Sequence, residues 1–429
     1  MDLFKIDESR FTHDYNQMLK IIILNSLGFF FIGFWIPIVA RANMGASAFQ
    51  ISLLITSFVI GRMISGFITG FITDRIKSRT KLVLIGSFGR AVSYFITYAA
   101  FITNQIFLLG VGHSTLGLMS GVFWIPFNTF VAEKSSKKHR SQAYGKRDSV
   151  KAVGEIIGAI LGFTLLGIAN SFTDNLIFIY IVIPIYGFSN ILAGIIFYRK
   201  VDESIKFDEI EPEKSDEVTK NTKFFVSNSM VFGAFFLICI LFLGSINGSI
   251  ARPFLNIYLI ENIESNLNLV LIAYLPAGLL ATLIAPKLGA LVDKLPPLVG
   301  ISITSSLGAL MTYLLINSAN IWMFSLILLG DLAIGMASGL IFQNMVSRIS
   351  TENRGKIFGV GDFFAFLGSV IGPILGGLAW DLISPKFPFI ISIFVELSLI
   401  PLYLAAVYLL LPHMAESYDK KRFSQKSKK

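Results

Sequence analysis

The stretch RSQAYGKRDSVKAVGEIIGAILG, residues 140–162, recurs 214 residues later as RGKIFGVGDFFAFLGSVIGPILG, residues 354–376. An arginine, an aspartate and four glycines match at this single offset: Arg140/Arg354, Gly145/Gly359, Asp148/Asp362, Gly154/Gly368, Gly158/Gly372 and Gly162/Gly376. Earlier in each copy, Gly70/Gly289 and Asp74/Asp293 share an offset of 219, and Gly117/Gly335 an offset of 218. The chain is therefore interpreted as two related halves, which is typical of transporters that move two bundles around a central site.

Composition places both halves in a membrane. Of the 429 residues, 54% are hydrophobic and only 15% are charged, with a mean hydropathy of +0.70, whereas soluble proteins carry about 25% charged residues. A membrane helix needs about 20 apolar residues and must be helical throughout. With that template the sequence predicts an all-α protein of twelve spans, numbered here in chain order: 19–41, 49–73, 81–102, 105–131, 147–170, 176–199, 230–259, 268–292, 298–318, 321–347, 356–382 and 388–411.

Lysine and arginine residues predict the orientation. They cluster in the loops after spans 2, 4 and 10 and in the C-terminal tail, so these segments and both termini are expected to be cytoplasmic in a multi-pass cell-membrane protein. The net charge of +9 is attributed to these loops rather than to nucleic-acid binding. Residues 200–223 are polar and charged, which predicts a flexible cytoplasmic linker between a bundle at 1–199 and a bundle with a basic tail at 224–429.

The end of span 2 reads GFITGFITDRIKSRTK, residues 66–81. With Gly70, Asp74, Arg75 and Arg79 it resembles the G-x-x-x-D-R-x-G-R-K signature of the major facilitator superfamily, although Lys77 replaces the second glycine. The resemblance implies a fold of two pseudo-symmetric six-helix bundles that alternate in access. It also implies that Asp74 and its basic neighbours form a cytoplasmic gate, with Arg90 in support and Asp293 as the second-half counterpart.

Span 11 carries a glycine pattern that resembles the superfamily's antiporter motif, G-x(8)-G-x(3)-G-P-x(2)-G-G, in Gly359, Gly368, Gly372, Pro373, Gly376 and Gly377. The family usually places that motif on span 5, where this chain has Ala159 instead of the proline. Two interpretations stay open: a contribution to antiport, or close helix packing without directional meaning.

Charged side chains inside a bilayer cost about 2.5–3.5 kcal/mol at a helix centre and tend to face cavities. Asp331 lies about 15 Å deep in span 10, and at the 218 offset its counterpart in span 4 is His113. His113 also occupies the start of an altered R-x-x-Q-G motif, whose arginine has a proton-handling role in the family. We therefore predict that Asp331 binds the proton or pairs with substrate, with His113 as partner or relay; the alternative is a buried aspartate satisfied by an arginine.

Four further residues are candidates for the pathway. Arg252 and Asn256 belong to a predicted stripe of span 7 beside Pro253, and Arg62 lies deep in span 2. Glu396 lies on span 12, which is peripheral in the family, so a pathway role is less expected there. Lys151 and Glu155 have the spacing of an internal ion pair on span 5.

The sequence favours a secondary transporter over other membrane proteins. A non-transporting receptor or sensor needs neither the duplication nor the gate motif, and no H-E-x-x-H, G-x-S-x-G or P-loop pattern suggests an enzyme. No cofactor or metal is expected from four histidines and one cysteine. We predict a monomer that moves a small molecule with protons, and prefer drug/proton antiport (efflux) to the alternative, proton-coupled uptake of a polar or anionic solute.

Overall fold

The computed structural model describes residues 10–76, 78–136, 139–207, 228–266, 297–347 and 354–410, together with 269–270, 273–274, 276–278, 280 and 284. Within these ranges the protein is helical, and its one β-bridge joins Phe11 to Ser135. Eleven of the described helices are long and apolar enough to cross a membrane. The predicted span 8, residues 268–292, lies largely outside the described residues.

The other predicted spans agree with the helices to within a few residues, except that span 5 begins earlier and spans 6 and 7 are interrupted. The first unit contains span 1 (Tyr15–Ala42), span 2 (Ala48–Arg75), span 3 (Arg79–Thr103), span 4 (Ile106–Glu133), span 5 (Arg140–Phe172) and span 6 (Leu176–Ile179, then Val182–Lys200). The second contains span 7 (Asn228–Ile250, Arg252–Phe254 and Leu255–Asn262), span 9 (Pro297–Leu315), span 10 (Ile321–Ser347), span 11 (Arg354–Leu382) and span 12 (Phe387–Leu410).

The chain divides into two compact units, Met1–Lys220 and Asn221–Lys429, at a point inside the predicted linker. In the first unit span 1 packs against spans 5 and 6, and span 3 packs against spans 4 and 6. In the second unit span 7 packs against spans 11 and 12, and span 9 packs against spans 10 and 12. The helix pairs of one unit therefore correspond to those of the other, so the sequence repeat is also a repeat of packing.

Span 5 lies against span 1 through its repeated glycines. A Cβ atom on Gly154 would stand 2.7 Å from the carbonyl oxygen of Ile23, and one on Gly158 would collide with the carbonyl group of Leu27. Because these neighbours are backbone atoms, a side chain could be accommodated only if the two helices moved apart. The glycines are thus required for the close approach of spans 1 and 5.

Span 11 repeats this arrangement against span 7. Cβ atoms added to three of its motif glycines would each meet a backbone carbonyl oxygen of span 7. The glycine and carbonyl pairs are Gly368 with Phe242, Gly372 with Ile246, and Gly376 with Ile250. Pro373 lies between them inside a continuous helix, and Gly359 and Gly377 belong to the same helix. The packing interpretation of the span 11 motif therefore has a direct structural basis in three of its glycines.

Spans 2, 4 and 6 end on the same side of the first unit, here called the basic end. Buried ionic contacts join the chain segments there. Lys134 is 0% exposed and its Nζ lies 2.6 Å from the Asp14 carboxylate. The same ammonium donates hydrogen bonds to the carbonyl oxygens of Asp202 and Ile205, at 2.8 and 3.0 Å. Residues 201–207 are consequently held on the first unit, which corrects the predicted flexible linker there; 208–223 lie outside the described residues.

Candidate transport pathway

The second unit contains Asp331, the acidic residue that the sequence predicts to bind the proton or pair with substrate. Asp331 is the eleventh residue of span 10, which begins at Ile321, so it lies about 15 Å from that end of the helix. The positive charge of Arg252 in span 7 acts on this half-buried carboxylate. Tyr274 of span 8 is near enough to interact with both charges. The structure thus brings two of the predicted pathway residues into one electrostatic group.

Span 7 is interrupted where that group forms. Its α-helix ends at Ile250, a 3₁₀ turn covers Arg252–Phe254, and a second helix begins at Leu255. Pro253 accounts for the break, because proline lacks the N–H that the helix would use and clashes with the preceding turn. The two residues of the predicted stripe therefore differ in environment: Arg252 is exposed, whereas Asn256 is buried beyond the break.

A second carboxylate of the same unit, Glu396, has polar partners on a neighbouring helix. Glu396 of span 12 accepts a hydrogen bond from the Asn247 side chain of span 7, and Ser392 donates to the Asn247 Oδ1 at 2.7 Å. Gly308 of span 9 lies beside this group, since a Cβ there would be in ordinary van der Waals contact with Glu396 Oε1, at 3.6 Å. Glu396 also interacts with the charge of Asp331. The polar partner on span 7 could not be read from helical spacing.

His113 occupies the interior of the first unit. The residue is 8% exposed and its ring stacks on Phe58 of span 2, with the ring centroids 5.0 Å apart. Within the part of the chain that the structure describes, its Nδ1 is buried without a hydrogen-bond partner. The imidazole is therefore a packed ring at the contact of spans 2 and 4, and its role as a proton relay stays a prediction.

Two arginines of the first unit differ sharply in environment. Arg62 of span 2 is exposed. Arg90 is the twelfth residue of span 3 and is 0% exposed; it donates to the side chain of Asn25 and to its carbonyl oxygen, the latter at 2.9 Å. Its guanidinium also lies 5.4 Å from the ring of Phe123. The side chain is thus committed to the interior of spans 1, 3 and 4, and its support of the gate stays a prediction because the Asp74 side chain lies outside the described residues.

Lys151 and Glu155 form the predicted ion pair of span 5, at 3.0 Å. The Lys151 ammonium lies 5.5 Å from the ring of Phe29, and Arg90 lies 5.9 Å from the same ring. The charge of Glu155 also acts on Arg90. Spans 1, 3 and 5 therefore share a charged group with two cations and one anion.

The predicted gate is described only in part. Arg75 is the exposed last residue of span 2, while Arg79 pairs with Glu133 at 2.6 Å and donates to the carbonyl oxygen of Thr73 at 3.2 Å. Among the described residues nothing lies within 4 Å of a Cβ added to Gly70. The Asp74 side chain and the whole of Asp293 lie outside the described residues. Arg79 thus joins the ends of spans 2 and 4 within the first unit.

Glu203 caps the start of span 3, a contact that the sequence did not suggest. Its carboxylate accepts hydrogen bonds from Ser78 Oγ at 2.7 Å, from the backbone N–H of Arg79 at 3.0 Å and from that of Thr80 at 2.9 Å. A negative charge is favourable at a helix N-terminus, where N–H groups are unsatisfied. Partial burial raises the pKa of Glu203, but the hydrogen bonds, led by those from Thr80, outweigh it and hold the pKa below its usual value.

We expect Glu203→Gln to lower the stability of the protein at pH 7 by about 1 kcal/mol, because the charge at the helix N-terminus is lost. A lowered folded-state pKa stabilises the protein fully above the ordinary value of 4.5, and that stabilisation disappears as the pH falls through the folded-state pKa. Thermal unfolding in detergent from pH 7 to pH 3 measures the effect. A difference between wild type and variant that stays constant over this range would contradict it.

No three histidine, cysteine, aspartate or glutamate side chains come together as potential metal ligands in the described ranges. The polar groups of the interior are instead carboxylates, amides and cations that pair with one another. Membrane-spanning helices in two repeated units, each with ionisable groups at membrane depth, are typical of a transporter.

Comparison with known families agrees with this class. The family model described as Major Facilitator Superfamily matches residues 19–364, most of the chain. The protein belongs to the major facilitator superfamily. None of the curated protein sequences matches the chain.

Solved structures of similar fold cover nearly the whole chain. A bacterial homologue of the human lysosomal transporter Spinster, inward-facing and occupied, is 14% identical and superposes with a TM-score of 0.74 over 95% of this chain and 100% of its own. A structure from work on substrate recognition in proton dependent oligopeptide transporters is 13% identical to this chain. It superposes with a TM-score of 0.67 and covers 93% of this chain and 98% of its own. A bacterial homologue of the iron transporter ferroportin, inward-facing, is 13% identical, with a TM-score of 0.64 over 91% and 98%. At these identities the likeness establishes the fold.

Proposed function

We propose that this transporter couples solute movement to protons by alternating access of its two units, with Asp331 as the proton-binding carboxylate. The observation that carries the proposal is the position of Asp331, half-buried at membrane depth in span 10 and near enough to Arg252 of span 7 for their charges to interact. Asp331 is half-buried at membrane depth, where a charge is retained at a cost and generally for a purpose. Tyr274 and Glu396 surround the pair with further polar groups.

The interaction between Asp331 and Arg252 links proton binding to the charge of the solute that can bind. While Asp331 is ionised its charge offsets that of Arg252, so an anionic solute at Arg252 would leave a net negative charge. Protonation of Asp331 leaves the charge of Arg252 uncompensated, and the proton and the anion then favour each other's binding. Couplings of this kind typically amount to about 1–3 kcal/mol, which is roughly 5- to 150-fold in affinity. This logic supports proton symport, hence uptake, of a small anionic or polar solute.

Efflux by proton antiport is the second candidate. A cationic solute would compete with the proton for Asp331, so the two would exclude each other and exchange across the membrane. The span 11 glycine motif, which favoured antiport in the sequence, packs against the span 7 backbone at Gly368, Gly372 and Gly376. Because packing alone accounts for those three glycines, the charge pair is the better guide to direction.

Transport by purified protein in proteoliposomes tests the choice. The solute panel should contain anionic, neutral and cationic compounds, and an internal pH-sensitive dye should follow the protons. We expect an anionic solute to accumulate when the outside is acidic, with protons entering alongside it. Proton exit driven by entry of a cationic solute would instead establish antiport, and solute flux independent of either pH gradient would refute proton coupling.

In the same assay we expect Arg252→Gln to lower the apparent affinity for the anionic solute by roughly 10-fold or more, because a charge-assisted hydrogen bond is lost. Arg41→Gln, in the last turn of span 1 in the first unit, should leave the affinity unchanged. An equal response of the two variants would remove Arg252 from the solute site.

A further inference from the structure

A groove of about 380 Å³ opens between spans 1 and 6 at the basic end of the first unit. Three polar residues and three aliphatic residues line it: Gln17, Lys20, Lys200, Ile21, Leu24 and Ile196. None of the six is acidic, and both lysines are exposed. The groove therefore combines positive charge with an apolar floor.

The lysines of the groove lie near the helix ends, and two of its aliphatic residues lie about one turn further into the helices. Span 1 begins at Tyr15, so Lys20 lies near its end and Leu24 lies one turn, about 6 Å, further along the helix. Span 6 runs the other way and ends at Lys200, with Ile196 one turn deeper. Both helices thus present a lysine at the membrane boundary and an aliphatic side chain beneath it.

We propose that this groove binds one anionic phospholipid, with the phosphate between Lys20 and Lys200 and the upper acyl chain along Ile21, Leu24 and Ile196. Basic pockets between membrane helices attract anionic head groups, and the apolar floor matches the hydrocarbon that follows the head group. A zwitterionic lipid has no net charge to complement two lysines, and free phosphate would leave the apolar floor uncovered. The site is on the surface of the first unit and is independent of the direction of transport.

Bound lipid should stabilise the first unit, because a ligand that binds only the folded state raises its unfolding temperature. The groove joins span 6 to span 1, whose residues Ile23 and Leu27 pack against the span 5 glycines. Occupancy is therefore expected to hold spans 1 and 6 together at the basic end, on the helix that also packs against span 5.

The experiment titrates the full chain, in detergent micelles, with dioleoyl phosphatidylglycerol and separately with dioleoyl phosphatidylcholine, and follows thermal unfolding. We expect the anionic lipid to raise the unfolding temperature in a saturable manner and the zwitterionic lipid to have little effect. Each lysine near an anionic head group contributes roughly a 5-fold change in affinity, so Lys20→Gln/Lys200→Gln should weaken the response by roughly 25-fold.

Two further variants separate the groove from general surface charge. Lys81→Gln/Lys206→Gln removes two exposed lysines of the same end that do not line the groove, and it should respond to lipid as wild type does. Ile196→Trp fills the floor while keeping both lysines, and it should weaken the response to phosphatidylglycerol. Equal stabilisation by both lipids, equal loss in the two lysine pairs, or an unchanged response of Ile196→Trp would each overturn the proposal.

Discussion

Asp331→Asn is expected to abolish accumulation of the solute driven by a pH gradient. A gradient of about 2 pH units supports roughly 100-fold accumulation when one proton accompanies each solute, because one unit corresponds to about 1.4 kcal/mol. Asparagine cannot take up the proton, so the ratio of internal to external solute should fall to about 1. The solute identified by the proteoliposome panel serves as the probe, and its uptake under an inward pH gradient is the measurement.

Solute exchange at equal pH distinguishes loss of coupling from loss of folding. Exchange requires no net proton movement, so Asp331→Asn should still exchange internal for external solute. Asp174→Asn is a matched control, since Asp174 is exposed in the short connection between spans 5 and 6. Full accumulation by Asp331→Asn would refute the coupling role, whereas loss of exchange with an unchanged unfolding temperature would assign Asp331 to solute binding instead.

Gly158→Ala is expected to destabilise the first unit by about 1–3 kcal/mol or more, because the added Cβ would overlap the backbone of Leu27 and push spans 1 and 5 apart. Thermal unfolding of the purified protein in detergent measures this. Gly167→Ala on the same helix is the control: nothing described lies within 4 Å of its added Cβ. That control should be neutral or stabilising by up to about 1 kcal/mol, since alanine is the better helix former.

Gly372→Ala tests whether the two units use the repeat in the same way. Its Cβ would meet Ser249 and, at 2.9 Å, the carbonyl oxygen of Ile246 on span 7. We expect destabilisation similar to that of Gly158→Ala. Unfolding temperatures of Gly158→Ala and Gly372→Ala equal to that of Gly167→Ala would contradict the packing account of both motifs.

The positions of the helices were largely predictable, whereas the partners of their polar side chains were not. Span 10 has the predicted bounds, Ile321–Ser347, because a run of apolar residues long enough to cross the bilayer has no alternative to helix. Arg90 illustrates the limit of this reasoning. Its position along span 3 can be predicted from the sequence. Its hydrogen bonds to Asn25 cannot, because they depend on span 1 lying beside span 3.

The partners of Glu396 and Glu203 were not predictable for the same reason. Asn247 is 149 residues from Glu396, and Thr80 is 123 residues from Glu203. No periodicity within one helix can indicate a partner at such separation. The candidate pair Asp331 and Arg252 was suggested by depth and charge, yet only the arrangement of spans 7 and 10 shows that their charges interact.

The sequence by itself determined the class of protein, the approximate positions of eleven described spans and the duplication. The spans follow from the local requirement that a chain in lipid satisfies its own backbone, and the duplication follows from residue matches at fixed offsets. The tertiary structure alone decided which helices touch, that the repeated glycines meet carbonyl groups of spans 1 and 7, and which buried charges face each other. Those outcomes depend on which helices, far apart in the chain, lie next to one another. Close packing between the helices sets this adjacency, and helical periodicity within one helix does not.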